Sequence, residues 1–384
     1  MDIMADEISG GFVPSEIFMR RAVELARKGG GKVHPNPLVG AVIEKGGKII
    51  AEGFHHEYGN IHAERDALRN ALERKADVRG ANLYVTLEPC CHTGKQPPCV
   101  QAVIEAGIKN VVVGSRDPNP LVNGKGAVQL ENAGIKVFRD FMKAECDSLN
   151  EAFFHYITTG LPFVIVKYAQ SADGKTSLSS GESKWITGES SREHVHYLRG
   201  TTASVMCGIQ TVLKDDPLLT CRIQGEGLRQ PARVVLDTEL KIPLECNLVR
   251  TAKESPLIVF TCSDSDKKYA LEEKGARVIH AEKKGGHIDI LEVLKKLGEL
   301  SIDSVLVESG GALNSSLFFY GENRCLVNKV LCFVAPKILG GINSSVHSPV
   351  QGIECASLSS CVNLSLNGIK NFSGDLLLEY NVEE

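Results

Sequence analysis

Short, almost uniformly apolar segments alternate along the chain with segments of helical periodicity, and this alternation most constrains the fold. In the first half, residues 82–88 (NLYVTLE) and 109–115 (KNVVVGS) are each followed by a helical pattern. In the second half, residues 162–171 (PFVIVKYAQS), 204–208 (SVMCG) and 232–238 (ARVVLDT) repeat this arrangement. Strands that lack an alternating polar face are usually covered on both sides. The sequence therefore predicts a layered α/β architecture.

The length of the chain and a turn-forming segment near its middle indicate two domains. A chain of 384 residues is too long for one ordinary core. A predicted helix over 143–156 leads into the segment TTGLP at 158–162, after which the strand pattern restarts. We expect domains over residues 1–157 and 158–384. Further predictions are helices over 15–28 and 62–75, a hairpin over 38–54, and mostly loop over 334–375, which is rich in Gly, Ser and Asn.

Composition excludes several classes of protein. The net charge is −4 and the basic clusters are short, which argues against nucleic acid as the main partner. No apolar run approaches the roughly 18 residues of a membrane span. The amino terminus, MDIMADEISG, carries acids where a signal peptide carries lysines. The twelve scattered cysteines then favour a reducing cytoplasm, where clustered thiols indicate metal binding or catalysis.

The densest chemistry lies in residues 86–99, TLEPCCHTGKQPPC, and in the segment NIHAERDAL upstream. His62 begins a helical pattern, Cys90 follows a strand, and Cys99 opens the next helix. One histidine and two thiolates with an open fourth position are typical of a catalytic zinc site. Glu64 can reach a zinc-activated water without binding the metal, as in deaminases with an H-x-E and P-C-x-x-C signature.

Two features of the thiol cluster leave alternatives. Cys91 competes with Cys90 on spacing, although the Pro-Cys context favours Cys90. Cys90 and Cys99 also stand nine positions apart, whereas the thiols of the P-C-x-x-C signature stand three apart. The residues between Cys90 and Cys99 must therefore loop out. His92 and Lys95 within that insert would overhang the pocket mouth, where a cation can meet a substrate phosphate.

The second half lacks a G-x-G-x-x-G turn after a predicted strand, which argues against a Rossmann dinucleotide domain. Gly310 and Gly311 instead stand between a strand and a helix, where backbone amides and the helix dipole can bind phosphate. The only tryptophan, Trp185, is predicted either to line a site or to lie in the core.

Several motifs together make the sequence resemble the bifunctional riboflavin-biosynthesis deaminase/reductase family. These are HPNPLVG (34–40), HAE (62–64), TLEPCCHTGKQPPC (86–99), DPNPLVNGKG (117–126), KYAQSADGK (167–175), SGESKWIT (180–187), DDPLLTCR (215–222) and VESGGAL (307–313). The resemblance implies an N-terminal cytidine-deaminase-like α/β/α domain and a C-terminal dihydrofolate-reductase-like α/β domain. It also implies one zinc ion per chain and NADPH as cofactors.

The resemblance assigns residues to the deaminase half. It implies zinc on His62, Cys90 and Cys99, with Glu64 as the proton shuttle. The eight-residue insert is a family feature, and Cys91 occupies a position where the family usually has serine, so it is not a ligand. The implied substrate pocket comprises Asn36, His55, His92, Lys95, Asp117 and Asn119. Asn36, Asp117 and Asn119 also suit turns, since Asn-Pro and Asp-Pro start turns readily. Asn60 stands where the family commonly has an acid.

For the reductase half, the resemblance implies a site for substrate and NADPH that draws on many segments. Its members are Lys167, Ser183, Trp185, Thr187, Arg199, Gly208, Thr211, Asp215, Arg222, Asp237, Glu308, Gly310 and Gly311. Arg199 and Arg222 are the expected phosphate partners because a guanidinium grips an anion through two donors. Lys167 or Asp215 is expected to assist proton transfer, and Glu308 to lie near the cofactor.

The activity implied is removal of an amine from a diaminopyrimidinone that carries a ribosylamino 5′-phosphate, followed by reduction of the ribosyl group. The expected partners are phosphorylated pyrimidines, in a cytoplasmic enzyme that can form a homo-oligomer and binds neither nucleic acid nor membrane. Two alternatives are a deaminase of a free base, nucleoside or tRNA, and a zinc-stabilised binding protein without catalysis. The full second domain argues against the first, and the intact Glu64 argues against the second.

Overall fold

The computed structural model describes residues 12–92, 97–119, 122–321, 324–341, 348–353 and 355–383. The chain divides into two compact units. The first runs from the start of the described chain to Gly29 and from Asn36 to Phe154, and the second comprises Gly30–Pro35 and everything from His155 onward. The division falls inside a helix, close to the predicted boundary after residue 157.

The elements up to this division alternate as the sequence predicts. They are α1 (Glu16–Arg27), β1 (Gly40–Lys45), β2 (Lys48–Phe54), α2 (Ala63–Glu73), β3 (Asn82–Leu87), α3 (Cys99–Glu105), β4 (Asn110–Ser115), α4 (Lys125–Asn132), β5 (Lys136–Phe138), α5 (Lys143–Asp147) and α6 (Glu151–Thr159), with a 3-10 turn at Gly30–Val33. The sheet order is β2-β1-β3-β4-β5. The first three strands pair antiparallel and the last three parallel.

The predicted hairpin of β1 and β2 is confirmed. It turns at Gly46 and Gly47, which both have positive φ, the conformation that tight hairpin turns require. One face of the sheet packs against α1 and α5, through side chains such as Val42 and Tyr84. The other face packs against α2, α3 and α4, through side chains such as Ile43. The apolar strands therefore lie between two helical layers, as predicted.

The helix predicted over 143–156 is wrong as a single element, because the structure has two helices there, α5 and α6. Asn150 precedes α6 and its carbonyl accepts the N–H of Phe154, which starts a new helical turn. Asparagine is among the residues favoured at this position. Its side chain pairs with both backbone groups of Leu38, at 2.8 and 2.9 Å. Long-range pairing of a buried amide thus separates the two helices.

The second unit contains a nine-stranded sheet. Its elements are β6 (Phe163–Ser171), α7 (Glu189–Thr201), β7 (Ser204–Gly208), α8 (Ile209–Asp215), β8 (Ala232–Leu236), α9 (Asn247–Arg250), β9 (Leu257–Thr261), α10 (Lys267–Glu273), β10 (Ala276–His280), β11 (Lys283–Lys284), β12 (His287–Ile288), α11 (Ile290–Glu299), β13 (Ser304–Val307), α12 (Gly311–Phe318), β14 (Lys329–Ala335), β15 (Leu364–Phe372) and β16 (Asp375–Val382), with a 3-10 turn at Leu358–Ser360. The order is β10-β9-β8-β7-β13-β6-β14-β16-β15, and β11 pairs separately with β12.

The order of this sheet positions a site. The seven strands from β10 through β9, β8, β7, β13 and β6 to β14, in the order of the sheet, run parallel. Strands β16 and β15 add an antiparallel edge. Strand β13 lies between β7 and β6, so segments distant in sequence end side by side. Ligands of open α/β sheets bind beyond the carboxyl ends of such strands. None of the described helices has the length and apolarity that crossing a bilayer requires.

The prediction of loop over 334–375 is wrong for residues 364–372, which form β15. Most side chains of this strand are exposed, and Gly368 marks a shift in its register with β16. Leu364 and Leu366 alternate with polar residues, but the alternation stops at Gly368, so it is too short to predict a strand over 364–372. Main-chain pairing with β16 holds it in place.

Candidate active sites

Three predicted metal ligands converge in the first unit. His62 directly precedes α2, Cys90 follows β3, and Cys99 begins α3. His62 Nδ1 lies 3.4 Å from Cys90 Sγ and 3.4 Å from Cys99 Sγ. All three ligand atoms lie within 4.8 Å of one another, and no further described His, Cys, Asp or Glu joins the group.

The donor set fits zinc. Tetrahedral zinc, with Zn–N of about 2.0 Å and Zn–S of about 2.3 Å, holds its nitrogen and sulfur ligands roughly 3.5 Å apart. The observed separations of 3.4 Å agree with this value. The Cys99 N–H also points at Cys90 Sγ, at 3.4 Å, and His62 and Cys99 together lower the pKa of the Cys90 thiol to about 4. The site therefore stabilises a thiolate on Cys90, the form that binds metal, whereas the hydrogen bond to Cys90 and burial raise the pKa of the Cys99 thiol.

Glu64 lies in the first turn of α2 and is only 3% exposed. Burial, assisted by the nearby Cys90 thiol, raises the pKa of its carboxyl. The carboxyl lies within hydrogen-bonding reach of the Cys99 thiol. A buried carboxyl beside a metal site, without a strong cationic partner, is suited to accept and return a proton.

Cys91 lies outside the ligand group. Its side chain packs against the apolar cluster between the sheet and the helices α2 to α4, and burial raises the pKa of its thiol. None of the twelve cysteines, all of which the structure describes, forms a disulfide.

His55 and Asn36 form a pair near the metal ligands. His55 is 2% exposed, and its Nδ1 lies 3.0 Å from the Ile61 carbonyl, which can only accept. Nδ1 therefore carries the proton, and Nε2 accepts a hydrogen bond from the Asn36 amide at 3.1 Å. Burial lowers the pKa of His55, in agreement with this neutral tautomer. The histidine thus fixes the orientation of the Asn36 amide, and its ring packs edge-on against His62 at 5.5 Å.

Asp117 and Asn119 form the turn that their sequence context predicts. The Asp117 carboxylate accepts the backbone N–H of Asn119 at 2.8 Å. Asp117 is 7% exposed, and burial raises its pKa to about 6. His92 Nδ1 is buried and has no partner among the described residues, while Lys95 lies outside the described residues.

Sequence reasoning missed the part played by Glu88, which directly precedes the Pro89-Cys90 pair. Its carboxylate accepts the N–H of Gly124 at 2.9 Å and of Ala127 at 3.1 Å, and so holds the start of α4 beside the metal loop. The acid in TLEPC was visible as a signal, but its backbone partners were not.

A cavity of about 1200 Å³ lies in the second unit, beyond the carboxyl ends of β7, β8 and β13. Most of the predicted reductase residues line it: Lys167, Ser183, Trp185, Arg199, Gly208, Thr211, Asp215, Arg222, Glu308, Gly310 and Gly311. Thr187 and Asp237 are not among its lining residues. The Thr187 carbonyl accepts from Arg192 at 2.9 Å. One oxygen of the buried Asp237 accepts the Ile242 N–H at 2.7 Å, and the other is buried with no partner among the described residues.

Three charged side chains meet inside this cavity. The carboxylate of Glu308, just beyond β13, accepts hydrogen bonds from Nε and Nη2 of Arg199, at 2.6 and 3.0 Å. Lys167 Nζ, on β6, lies 3.9 Å from the same carboxylate. Burial opposes the charge on Glu308, but Arg199 and Lys167 outweigh it and hold the pKa of Glu308 at about 2. Burial lowers the pKa of Lys167.

Trp185 is 63% exposed, which excludes the predicted alternative that it is a core residue. Its ring lies 4.6 Å from the Arg192 guanidinium carbon, and its carbonyl accepts from Lys337 at 2.9 Å. The ring therefore lies at the edge of the cavity.

The turn from β13 into α12 presents backbone to the cavity. Gly310 precedes the helix, and Ser309, Gly311, Ser315 and Ser316 also line the cavity. Ser315 is 2% exposed, yet its hydroxyl is buried with no partner among the described residues. Sequence reasoning missed Ser315, because a serine inside a helix carries no motif. The backbone amides at the start of α12, beside the same cavity, suit a phosphate group.

The folds and sites of the two units define a zinc deaminase and a reductase on one chain. Residues 14–115 match the cytidine and deoxycytidylate deaminase zinc-binding region, and residues 162–378 match the RibD C-terminal domain. The riboflavin biosynthesis protein RibD of Actinobacillus pleuropneumoniae is 46% identical over 366 residues, which cover 95% of this chain and 94% of that protein. Its Escherichia coli counterpart is 38% identical over 336 residues, covering 85% and 88%.

The solved structures agree. The deaminase/reductase of Thermotoga maritima is 39% identical, with a TM-score of 0.82 and coverage of 96% of this chain and 98% of that one. RibD of Acinetobacter baumannii is 35% identical, with a TM-score of 0.83 and coverage of 96% and 99%. The chain therefore belongs to the bifunctional RibD deaminase/reductase family of riboflavin biosynthesis. The predicted family, fold class, pair of activities, and dependence on zinc and NADPH are confirmed.

Proposed function

We propose that the chain deaminates 2,5-diamino-6-ribosylamino-4(3H)-pyrimidinone 5′-phosphate and then reduces the ribosyl group, giving 5-amino-6-(5-phosphoribitylamino)uracil. The name of the Thermotoga maritima protein, a diaminohydroxyphosphoribosylaminopyrimidine deaminase and 5-amino-6-(5-phosphoribosylamino)uracil reductase, supports this assignment. The observation that carries it is the cluster of His62, Cys90 and Cys99 with the buried Glu64 carboxyl beside it. The charged cavity in the second unit of the same chain supports the reductive step.

In the deaminase step, His62, Cys90 and Cys99 would hold the zinc ion. Zinc held there would supply a water whose pKa is lowered toward about 7. Glu64 takes the proton from this water and delivers it to the departing amine. Its raised pKa matches this task, because a shuttle must release the proton that it has accepted.

The remaining deaminase residues position the pyrimidine. The Asn36 amide, oriented by His55, binds the polar edge of the ring with its oxygen directed away from the histidine. Asp117, at the end of a buried turn, binds a ring amine with its carboxylate. His92 and Asn119 bind the ribosyl phosphate, and Lys95, which lies outside the described residues, would supply positive charge to it.

In the reductase step, NADPH supplies the hydride. Gly310 and Gly311 bind a cofactor phosphate at the start of α12, and Trp185 covers the cavity edge. Lys167 lies close to Glu308 and has a lowered pKa, so that it can donate a proton to the sugar oxygen as the ring opens. Asp215 is the second candidate for that proton, and Ser183, Gly208 and Thr211 shape the wall. Thr187 and Asp237 act indirectly, by holding loops.

The two arginines have unequal parts in binding the substrate phosphate. Nε and Nη2 of Arg199 are engaged by Glu308, and its Nη1 donates to the Thr220 carbonyl at 3.3 Å. No described carboxylate lies within 4 Å of the Arg222 guanidinium, so its charge stays uncompensated. Arg222 is therefore the main phosphate partner, and Arg199 serves to hold Glu308.

We infer a deaminase domain over residues 1–157 and a reductase domain over 158–384, since the two family matches end at residue 115 and begin at residue 162. The twelve cysteines without a disulfide support a reducing cytoplasmic location. We expect small phosphorylated pyrimidines as the partners, rather than nucleic acid, and a homo-oligomer whose size gel filtration would report.

The test combines metal analysis with two assays on the purified chain. We expect about one zinc per chain and ammonia release that precedes NADPH oxidation when the diaminopyrimidinone phosphate is supplied. Arg222→Ala should raise the KM for the phosphorylated reductase substrate about tenfold or more, since a charged hydrogen bond contributes about 1.5–3 kcal/mol. Zinc without either activity, or cytidine as the preferred substrate, would contradict the proposal.

A further inference from the structure

Arg222 has a partner that neither the motifs nor the cavity lining reveals. Its Nε and Nη2 donate to Nε2 of His196, at 3.2 and 3.1 Å. His196 lies on α7, one turn before Arg199, and is not among the described residues that line the cavity. An exposed arginine is normally mobile, but here two hydrogen bonds to one acceptor hold the guanidinium plane.

The tautomer of His196 follows from its partners. A guanidinium only donates, so Nε2 of His196 must carry a lone pair. Nδ1 must then carry the proton, and it donates to the Thr220 carbonyl at 3.0 Å. The Arg222 backbone N–H lies 3.3 Å from the same Nδ1. It cannot donate to that nitrogen in this tautomer, because a protonated Nδ1 has no free lone pair.

The charges that face His196 favour its neutral form. Burial lowers its pKa, and the positive charges of Arg199 on the same helix and of Arg222 on the facing loop lower it further. The Thr220 carbonyl and the carboxylate of Glu308 act in the opposite direction but do not outweigh them. Near neutral pH the ring is therefore an uncharged acceptor.

We propose that His196 is a positioning residue of the reductase site, whose neutral imidazole fixes the Arg222 guanidinium for the 5′-phosphate of the substrate. The imidazole uses the Nε–H and one Nη2–H of Arg222, which leaves both Nη1 hydrogens for the phosphate. Because the partner is neutral, it orients the arginine without cancelling its charge, in contrast to Glu308 on Arg199. This inference rests on the proposed role of Arg222 in binding that phosphate.

Kinetics of the reductase step on the full chain would test the inference. The substrates are 5-amino-6-(5-phosphoribosylamino)uracil and its dephosphorylated form, with NADPH saturating. His196→Ala should raise the KM for the phosphorylated substrate about fivefold to tenfold, the order expected when a long side chain must be ordered on binding. It should leave kcat within about twofold, and the KM for the dephosphorylated substrate unchanged.

Three further variants separate positioning from a general structural effect. His196→Gln, whose amide can both accept from Arg222 and donate to Thr220, should restore most of the affinity. His194→Ala is the matched control, since His194 lies on the same helix but packs its ring on Phe372 at 4.7 Å. The double variant of His196→Ala with Arg222→Ala should have the same KM as Arg222→Ala alone.

The outcomes distinguish this inference from the proposed function. If Arg222→Ala raises KM and His196→Ala does not, the positioning role is wrong while the phosphate role of Arg222 stands. If the fold-increases in KM from the two substitutions multiply in the double variant, His196 acts on something other than Arg222, and the inference is also wrong. If Arg222→Ala leaves KM unchanged, the proposed phosphate site fails, and the role of His196 fails with it.

Discussion

Each unit of the molecule contains a buried glutamate at its candidate site, and the two have opposite surroundings. Glu64 lies among the thiols and imidazole of the metal cluster, where burial raises the pKa of its carboxyl. Glu308 is bound by Nε and Nη2 of Arg199 and approached by Lys167, and its pKa is held at about 2. Burial thus yields a protonatable carboxyl in the first unit, whereas the cations beside the largely buried Glu308 carboxylate keep it charged at neutral pH.

This difference indicates a difference in role. A carboxyl that lacks a strong cationic partner in a dry site can exchange a proton at neutral pH, as the shuttle of a deaminase must. A carboxylate compensated by two cations cannot, and it serves instead to hold those cations where a substrate or cofactor meets them. The comparison predicts that Glu64 matters mainly to turnover and Glu308 mainly to stability and local geometry.

Glu64→Gln gives the largest expected effect. It keeps the shape of the side chain but removes the exchangeable proton, so deamination should fall about a thousandfold, within the range that general acid–base catalysis supplies. Zinc content and thermal stability should stay close to those of the unaltered chain, and reduction of the deaminated substrate should be unaffected. Ammonia release, metal analysis and NADPH oxidation measure the three quantities.

The contrary result would be equally clear. Deamination that proceeds unchanged in a zinc-loaded Glu64→Gln variant would show that another group moves the proton, and the contrast between the two glutamates would lose its functional meaning. Glu57→Gln is a suitable control, since Glu57 lies on the exposed loop before the metal cluster.

Glu308→Ala should instead reduce stability, by about 3 kcal/mol or more. The substitution leaves Arg199 and Lys167 buried without their counter-charge, and breaking one partner of a buried ion pair typically costs about 3–5 kcal/mol. Urea unfolding followed by the fluorescence of Trp185, the only tryptophan, would report on this unit. A loss below about 1 kcal/mol would contradict the view that Glu308 is compensated in the folded state.

More of the metal site than of the charged cavity could be predicted from sequence, because the residues of the metal site lie close together along the chain. His62 and Glu64 stand two positions apart, and Cys90 and Cys99 flank one insert, so the chemistry is visible in short motifs. Glu308 and Arg199 are 109 positions apart. Only the insertion of β13 between β7 and β6 brings them together with Lys167. No spacing rule in the sequence encodes that crossover.

The same distinction explains the residues that sequence reasoning missed. His196 acts through hydrogen bonds to a loop 26 positions away, and Ser315 is a buried serine inside a helix. The break between α5 and α6 depends on Asn150 pairing with Leu38, 112 positions away. Alternation of apolar segments predicted the layers correctly, because it reflects burial of whole strands. It carries no information about which polar side chains meet.

Asp117 is a third buried carboxyl, in the same unit as Glu64. Burial raises the pKa of Asp117, as it does that of Glu64. Its folded pKa of about 6 exceeds its ordinary value of about 3.9, so the folded state binds more protons between these values. Stability should therefore fall as pH rises through that window and stay low above it. Asp117→Asn still accepts the Asn119 N–H but carries no charge.

We therefore expect Asp117→Asn to be more stable than the unaltered chain near pH 7, by about 2–3 kcal/mol, and to be weaker in deaminase substrate binding. The advantage should shrink by about 1 kcal/mol on going down to about pH 5, as the aspartate takes up its proton. Thermal unfolding of both zinc-loaded proteins across this range measures the difference. An advantage that grows toward low pH would show that Asp117 is charged and compensated, like Glu308.

Glu308→Asp should have the smallest effect and separates charge from reach. The shorter side chain keeps the negative charge between Arg199 and Lys167 but lengthens at least one of the two contacts to Arg199. We expect a loss of about 1 kcal/mol in urea unfolding, against about 3 kcal/mol or more for Glu308→Ala, because compensation of buried charge is the larger contribution. If aspartate and alanine are equally costly, the bidentate geometry of the carboxylate, rather than its charge, stabilises this cavity. The contrast with Glu64 would then be one of geometry, since a shuttle needs a carboxyl with freedom to move and an anchor needs one held by both oxygens.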